Sequence, residues 1–514
     1  MTHAAAILGA AAAAALASRL APPWYALVWV CAAPWLAALD RVATWRGAVA
    51  SGVVMAAAFS AGVFSWFPIA VADYARAPIA AVAALGLVAA PLFQPQFVAV
   101  AVARHAARRR RLGDRATALV TAGTWVAAEW LVPKLFGDTL GVGLWEAPWL
   151  RQAADLGGLP GLTFALVLGN DGVRAAAVRR ALRPLVATAG IAAALAAYGA
   201  VRAAAAPPAP AAPPIAFGVV QAGVAQYDRL RAEVGTHEAV RRILDAQIAV
   251  SRRLLDGATP DVLVWPETVY PTTFGAPKSD DGAAFDRLIA GLVVATGRPL
   301  VFGAYDADGG VEYNAAFFLE PDGAGGVTFA TYRKAALFPL TERVPAWLDR
   351  PAVRARLPWL GSWRPGTGAA VVPLRLPGGR RVRVAPLICY DAVDPRRAAA
   401  AVRDGAELIV TLSNDSWLGT AGARLHLAVS GFRSIETRRP QVRATPTGVS
   451  AVVTPAGDVI AAAAVGERTG LAAAVAPVAS GVPLAARLGN WVGPAGALLA
   501  ASLLARRAKS PRTG

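Results

Sequence analysis

The sequence predicts a multi-span α-helical membrane domain joined to a water-facing α/β domain. Three observations predict it. Apolar residues make up 56% of the 514 and crowd into the first two hundred positions and the last thirty, while the stretch between carries most of the acids. A Pro/Ala segment, AAAAPPAPAAPP at 203–214, stands where the composition changes. Beyond it, short β-branched runs alternate with amphipathic stretches. A chain of this length exceeds one ordinary core, so at least two structural units are expected.

The membrane part rests on apolar runs of spanning length at about 4–18, 22–39, 47–68, 78–103, 116–136, 158–178 and 185–203, with one more at about 488–505. The first is short and Ala-rich; without a basic leading region it reads as a short span paired with the next, not as a signal peptide. Pro34, Pro91 and Pro95 fall inside these runs, where neighbouring helices can satisfy the freed backbone groups. The net charge of +18 does not point to nucleic acid. The arginines cluster beside apolar runs, in loops 40–46, 104–115 and 179–184 and in the tail RRAKSPR, whereas loops 69–77 and 137–157 are mixed or acidic. Basic loops mark the cytoplasmic side. The expected organisation is a seven-helix membrane domain at 1–203, a linker at 204–214, an extracytoplasmic domain at 215–484, a membrane helix at 488–505 and a cytoplasmic tail at 506–514.

In the polar part, strands are expected at 215–221, 261–265, 299–304, 314–320, 382–389, 407–413 and 449–455, and helices at 228–256, 281–297 and 422–438. The two cysteines, Cys31 and Cys389, lie in different parts of the chain, so no disulfide is expected and Cys389 stands as a lone thiol.

Strand ends deliver the groups that could carry chemistry. DVLVWPETVYP places Glu267 past a buried strand; TYRKAALFPLTERVP places Lys334 after another; VAPLICYDAVDP ends an apolar strand on Cys389, followed by Tyr390 and Asp391. LIVTLSNDSWLG ends a further strand with Ser413, Asn414, Asp415, Ser416 and Trp417. Taken singly, each has a structural reading: a cysteine ending a strand is usually inert core, a lone Glu or Lys is a solvated charge, and Asn-Asp is turn chemistry. The combination is harder to explain that way. Only four of the 51 basic residues are lysines, at 134, 278, 334 and 509, so arginine is the default cation here. An ammonium is a compact point charge that fits beside an oxyanion, which the bulkier guanidinium does not. A thiol at its ordinary pKa needs a base to take its proton. The resulting acyl oxyanion would be held by Lys334 and a backbone N–H near Cys389, each such donor worth ~3–4 kcal/mol of barrier.

WPE, the Lys334 segment and ICYD, in this order, resemble the Glu-Lys-Cys triad of the nitrilase superfamily. With seven apolar runs before the domain and one after, nearly the whole chain resembles the membrane-embedded members of that superfamily, the apolipoprotein N-acyltransferases. The resemblance implies a nitrilase-like αββα sandwich. In it Glu267 is the general base, Cys389 the nucleophile and Lys334 the oxyanion stabiliser. Glu342, Tyr390, Asp391, Asn414 and Trp417 are implied as supporting site residues. It also implies a membrane phospholipid as acyl donor, a diacylglyceryl-modified apolipoprotein as acceptor, a monomeric enzyme, and the bacterial cytoplasmic (inner) membrane with the catalytic domain on the periplasmic side. The sequence departs from the family pattern at Ala335 and Ala336, at Leu340-Thr341-Glu342, at Asp391 where Glu is usual, at Tyr227, and at Thr445-Pro446-Thr447-Gly448. These spare the triad and touch the acceptor side. Competing readings are a membrane-anchored amidase of the superfamily and a lipid-binding paralogue without catalysis. No metal cluster, Walker loop or dinucleotide glycine pattern is present in the sequence, so neither metal nor cofactor is expected. The stretch 345–366, with Trp347, Trp359 and Trp363 among arginines, reads as an arm resting at the lipid headgroup level.

Overall fold

The computed structural model describes residues 2–204, 212–224 and 227–506; most of the expected linker and the C-terminal tail lie outside the described residues. Two compact units emerge, Met1–Ala205 with Leu488–Gly514, and Ala206–Arg487.

The first unit is helical. Its elements are α1 (His3–Ala17), a 3-10 stretch Trp24–Trp29, α2 (Ala33–Leu39), α3 (Trp45–Val63), α4 (Phe67–Ala75), α5 (Ile79–Phe93), α6 (Pro95–Arg109), α7 (Asp114–Leu131), α8 (Ala154–Arg179) and α9 (Arg183–Ala204). The side chains of Thr2 and Thr44 cap α1 and α3 by accepting from Ala5 N and Gly47 N. Helix stands at every expected apolar run, but the runs are not all continuous. Residues 22–39 divide into the 3-10 stretch and α2, and 78–103 bends by 50° between α5 and α6, where Gln94 leaves helical geometry and Pro95 starts the next helix. Among the described residues α3 and α9 are individually long and apolar enough to cross a membrane, and α5–α6 is a third if the bent pair is one span.

The expectation that Arg104 belongs to a basic loop is corrected. α6 runs on to Arg109, and Arg104 is buried inside the unit, bonding Asp40 Oδ1 at 2.7 Å and Asp171 Oδ1 at 2.7 Å. Arg174 closes the network on the same two carboxylates at 2.8 Å each. Two acids satisfy two buried arginines here, as charges inside an apolar unit require. On its outer side α5 presents Leu85, Val88 and Leu92, each more than two-thirds exposed, an apolar surface of the kind lipid covers. A cavity of about 360 Å³ opens among Phe64, Phe67, Ile79, Leu87, Phe93 and Phe136.

The second unit is an αββα sandwich. Its first sheet comprises β1 (Ile215–Gln221), β2 (Val262–Val264), β3 (Tyr270–Thr273), β4 (Leu300–Asp308), β5 (Val311–Pro321), β6 (Val327–Arg333) and, from the end of the chain, Thr469–Val475, in the order Thr469–Val475, β1, β2, β4, β5, β6 with β3 paired to β4. The second comprises β7 (Val372–Arg375), β8 (Arg381–Ile388), β9 (Leu408–Leu412), β10 (Gln441–Ala444), β11 (Ala451–Val453) and β12 (Val459–Ala462), in the reverse of chain order; Thr469–Val475 is β13. The helices are α10 (Tyr227–Val234), α11 (Thr236–Gly257), α12 (Asp280–Thr296), α13 (Pro351–Arg356), α14 (Pro395–Arg403), α15 (Gly419–Thr437) and α16 (Leu484–Leu488); α17 (Val492–Ala505) returns to the first unit.

Strand periodicity builds the layers. Phe217 and Val219 on β1 meet Val382, Val384 and Ile388 on β8 in one core between the sheets. The alternate residue Val220 packs with Ile243 and Leu244 of α11, and Ala385 and Leu387 pack with Ala401 and Val402 of α14. The expected helix over 228–256 is two helices, because Gly235 sits at φ 83° between α10 and α11. The residue pattern alone does not separate β3, β7, β10, β12 and β13; β10 (QVRA) carries a buried arginine, and β12 and β13 are alanine-rich.

Candidate active site

Parallel strands in both sheets end at the site. In the first sheet β1, β2 and β4 run parallel, and Glu267 follows the C-terminal end of β2. In the second, β8, β9 and β10 run parallel; Cys389 follows β8, and Ser413–Trp417 follow β9. Polar groups gather beyond such strand ends because the backbone leaves the sheet there. Lys334 arrives from the antiparallel side, directly after β6.

Glu267 and Lys334 are both buried and directly paired: Lys334 Nζ donates to Glu267 Oε1 at 2.9 Å and to Glu342 Oε1 at 2.6 Å. Asn314, on β5, donates from Nδ2 to the same Glu267 oxygen at 2.8 Å, and its backbone oxygen accepts from Lys334 N at 2.8 Å. Glu342 Oε2 accepts from Phe338 N at 2.6 Å, which folds the 335–342 loop back on the lysine. Glu267 Oε2 is buried with no hydrogen-bond partner among the described residues. Such an atom needs an explanation, and a proton donor that arrives during reaction is one.

The charges are coupled. Burial alone would pull the Lys334 ammonium down, but the carboxylates of Glu267 and Glu342 outweigh it and hold the group well above its ordinary value. Burial pushes the Cys389 thiol up, and the Glu267 carboxylate pushes it further against the pull of Lys334. The resting sulfur is therefore a protonated thiol that needs a base.

Cys389 is half-buried and adopts φ 47°, the left-handed region, where the chain turns from β8 into a 3-10 stretch Cys389–Val393. A non-glycine residue stays there only when its surroundings over-determine it. Asp391 supplies much of that. It is fully buried, and its Oδ2 accepts from Ile388 N at 3.0 Å and Tyr332 Oη at 3.0 Å, while Oδ1 accepts from Ala336 N at 2.6 Å and Ala335 N at 3.2 Å. It therefore ties the Cys389 turn to the stretch after Lys334. Tyr390 and Trp417 both pack edge-on against Phe338, at centroid distances of 5.1 and 5.2 Å. Asn414 is a turn former: its Oδ1 accepts from Ser416 N at 3.3 Å and Ser416 Oγ at 2.7 Å.

The structure thus brings Glu267, Lys334 and Glu342 into one hydrogen-bonded group, with Cys389 inside its field and Asp391 holding the turn. In the stretch 345–366, Trp347 is exposed, whereas Trp363 packs on Tyr305 at 4.5 Å. Sequence reasoning passed over Asn314, Phe338, His426 and Arg443. Asn314 opens the apolar run NAAFFLE, a polar group at a buried position, and that was the available signal.

Two families match the sequence. The apolipoprotein N-acyltransferase N-terminal domain matches residues 8–171, and the carbon-nitrogen hydrolase family matches residues 232–480. The apolipoprotein N-acyltransferase of Bdellovibrio bacteriovorus is 30% identical over 85% of this chain and 82% of its own length. That of Gloeobacter violaceus is 30% identical over 96% and 92%, and that of Geobacter metallireducens 28% identical over 84% and 82%. Among solved structures, Saccharomyces cerevisiae Nit3, a member of branch 10 of the nitrilase superfamily, is 17% identical with a TM-score of 0.38, covering 51% of this chain and 90% of that one. An amidase from Nesterenkonia sp. is 18% identical with a TM-score of 0.36 over 51% and 91%.

Proposed function

We propose, since this chain belongs to the apolipoprotein N-acyltransferase family, that it moves a fatty acyl group from a membrane phospholipid, through a thioester on Cys389, to the N-terminal amine of a diacylglyceryl-cysteine lipoprotein. The observation that carries this reading is the Glu267 carboxylate. One oxygen is fixed by Lys334 and Asn314, and the other is buried and unpartnered among the described residues, in reach of the field of a thiol that burial keeps protonated.

The steps follow from those groups. Glu267 takes the Cys389 proton as the sulfur attacks the ester carbonyl, and the carbonyl oxygen becomes an oxyanion beside the Lys334 ammonium. Lys334 acts as a fixed charge: Glu267 and Glu342 keep it protonated at rest, and Glu342 and the oxyanion face it once Glu267 holds the proton. Collapse breaks the ester bond, and the departing lysophospholipid alkoxide takes the proton from Glu267. The acceptor amine then gives a proton to Glu267 and attacks the thioester, and the Cys389 thiolate leaves and recovers that proton. The net exchange is ester for amide without water, in two covalent half-reactions.

A helical unit with outward apolar faces and an apolar cavity suits a lipid substrate better than a soluble amide, for which one anchoring span would do. Protein in liposomes, given a synthetic diacylglyceryl-cysteine peptide, tests the reading by mass spectrometry. One acyl group gained per peptide, with one lysophospholipid formed, is expected. Free fatty acid in place of acylated peptide would identify a hydrolase and overturn it.

A further inference from the structure

Behind the Cys389 turn lies a buried polar cluster that the steps above do not use. His426, on α15, places Nε2 at 3.3 Å from the Cys389 backbone oxygen. Its other nitrogen, Nδ1, lies 2.9 Å from Asp415 Oδ1, 3.2 Å from Arg443 Nη2 and 3.5 Å from Ser413 Oγ. Asp415 accepts from Arg443 Nη2 at 2.7 Å and from Ser413 Oγ at 2.8 Å. Asp415 and Arg443 side chains are fully buried, and that of His426 is 10% exposed. Three elements, the end of β9, α15 and β10, therefore converge on one carbonyl.

We propose that His426 is a positioning residue for thioester formation: it holds the peptide bond that follows Cys389, and Asp415 with Arg443 hold His426. This rests on the reading of Cys389 as nucleophile. A carbonyl oxygen only accepts, so the bond requires the proton on Nε2. A peptide is planar, and fixing its oxygen fixes the direction of the N–H on its far edge and limits ψ of Cys389. The turn is then gripped on both sides, by Asp391 at the Ile388 N–H and by His426 at the Cys389 oxygen. That double grip accounts for a cysteine persisting at φ 47°. The cluster also matters electrostatically. Asp415 is among the carboxylates that push the Cys389 thiol up, and its charge is set against Arg443 and His426, which overcome its burial and hold it well below the usual carboxylate range.

A satisfied core histidine would look similar in isolation, so the test separates positioning from packing. The rate of acyl-thioester formation on Cys389 is measured by mass spectrometry in phosphatidylethanolamine liposomes for the unaltered protein, His426→Phe and His426→Gln. Phenylalanine keeps the ring and loses both bonds; glutamine returns a donor close to the Nε2 position. His426→Phe is expected to lower the maximal rate about thirtyfold or more with the phospholipid KM unchanged within about twofold, and His426→Gln to recover to within about fivefold of the unaltered protein. Acylation of folded His426→Phe at the unaltered rate overturns the inference. Equal losses in both variants, tracking the fraction folded by circular dichroism, overturn it too. If the unaltered protein forms no thioester, the nucleophile assignment itself falls and this inference with it.

Discussion

At the residue scale, Lys334 offers the sharpest test of the proposed site. Its ammonium bridges Glu267 and Glu342 in a buried setting, whereas Lys278 pairs with Glu312 in the open. Lys334→Arg keeps the charge but puts a longer planar group into a space shaped for a point donor. It should slow acyl-thioester formation about a hundredfold or more with phospholipid KM little changed, and Lys278→Arg should stay within about twofold. Equal rates for the two variants would make Lys334 an ordinary cation. Glu267→Gln gives a second, opposite-signed test. Burial is the first cause of the raised Cys389 thiol and the Glu267 carboxylate the second, with Lys334 opposing. Removing that carboxylate lowers the thiol pKa, so iodoacetamide should alkylate Cys389 faster at neutral pH. Acyl-thioester formation should fall about a hundredfold, since the base is gone. Acyl-thioester formation by Glu267→Gln at the unaltered rate would contradict the assignment of Glu267 as base. Glu267, Lys334 and Cys389 can be singled out in the sequence as candidates because each stands at a strand end in a distinctive string, WPE, YRK and ICYD. Asn314 and His426 cannot. One is a single polar residue opening an apolar strand, the other one of four histidines in the chain, and only sheet order and helix docking bring them to the site.

At the element scale, the site depends on how closely β4 runs beneath the end of β2. A Cβ added at Gly303 would fall 2.5 Å from Thr268 N and 2.6 Å from Glu267 Cα, backbone atoms that cannot yield as a flexible side chain does. Gly303→Ala should therefore displace Glu267 from Lys334, cost about 1–3 kcal/mol in unfolding free energy and lower acylation as well. Gly291→Ala, in α12 with open space around it, should leave stability the same or slightly higher. Chemical denaturation of both variants checks this, and equal stabilities would mean that the close approach is relieved elsewhere. Strands with apolar alternation or β-branched runs were readable, and β1 matches its expected limits, 215–221. β10 was not, because a strand buried with Arg443 inside it breaks the apolar pattern, its charge being met by Asp415 at Nη2.

At the scale of the whole molecule, the change of composition near residue 205 coincides with the boundary between the two compact units. Helices are expected at each apolar run, but hydropathy does not show the breaks at Gln94 and at 30–32, which fall just ahead of helices that carry Pro95 and Pro34 in their first turn. Basic-loop placement leads to a further expectation: the 215–484 domain lies outside the cytoplasmic membrane with both termini inside. Cysteines introduced at Ser279 and at Gly113, with Cys31 and Cys389 replaced by alanine, report on it. Ser279→Cys should be labelled by an impermeant maleimide in intact spheroplasts, and Gly113→Cys only after permeabilisation; the reverse pattern would invert the topology. The central claim is that the acyl group passes through the Cys389 sulfur, and intact-protein mass spectrometry after incubation with phospholipid alone tests it most directly. The account predicts a mass increase of one acyl chain, located on the peptide containing Cys389, released by hydroxylamine or by acceptor peptide, and absent from Cys389→Ala. Acyl transfer to the acceptor by folded Cys389→Ala, or an unaltered protein that transfers acyl groups without passing through the adduct, would contradict it.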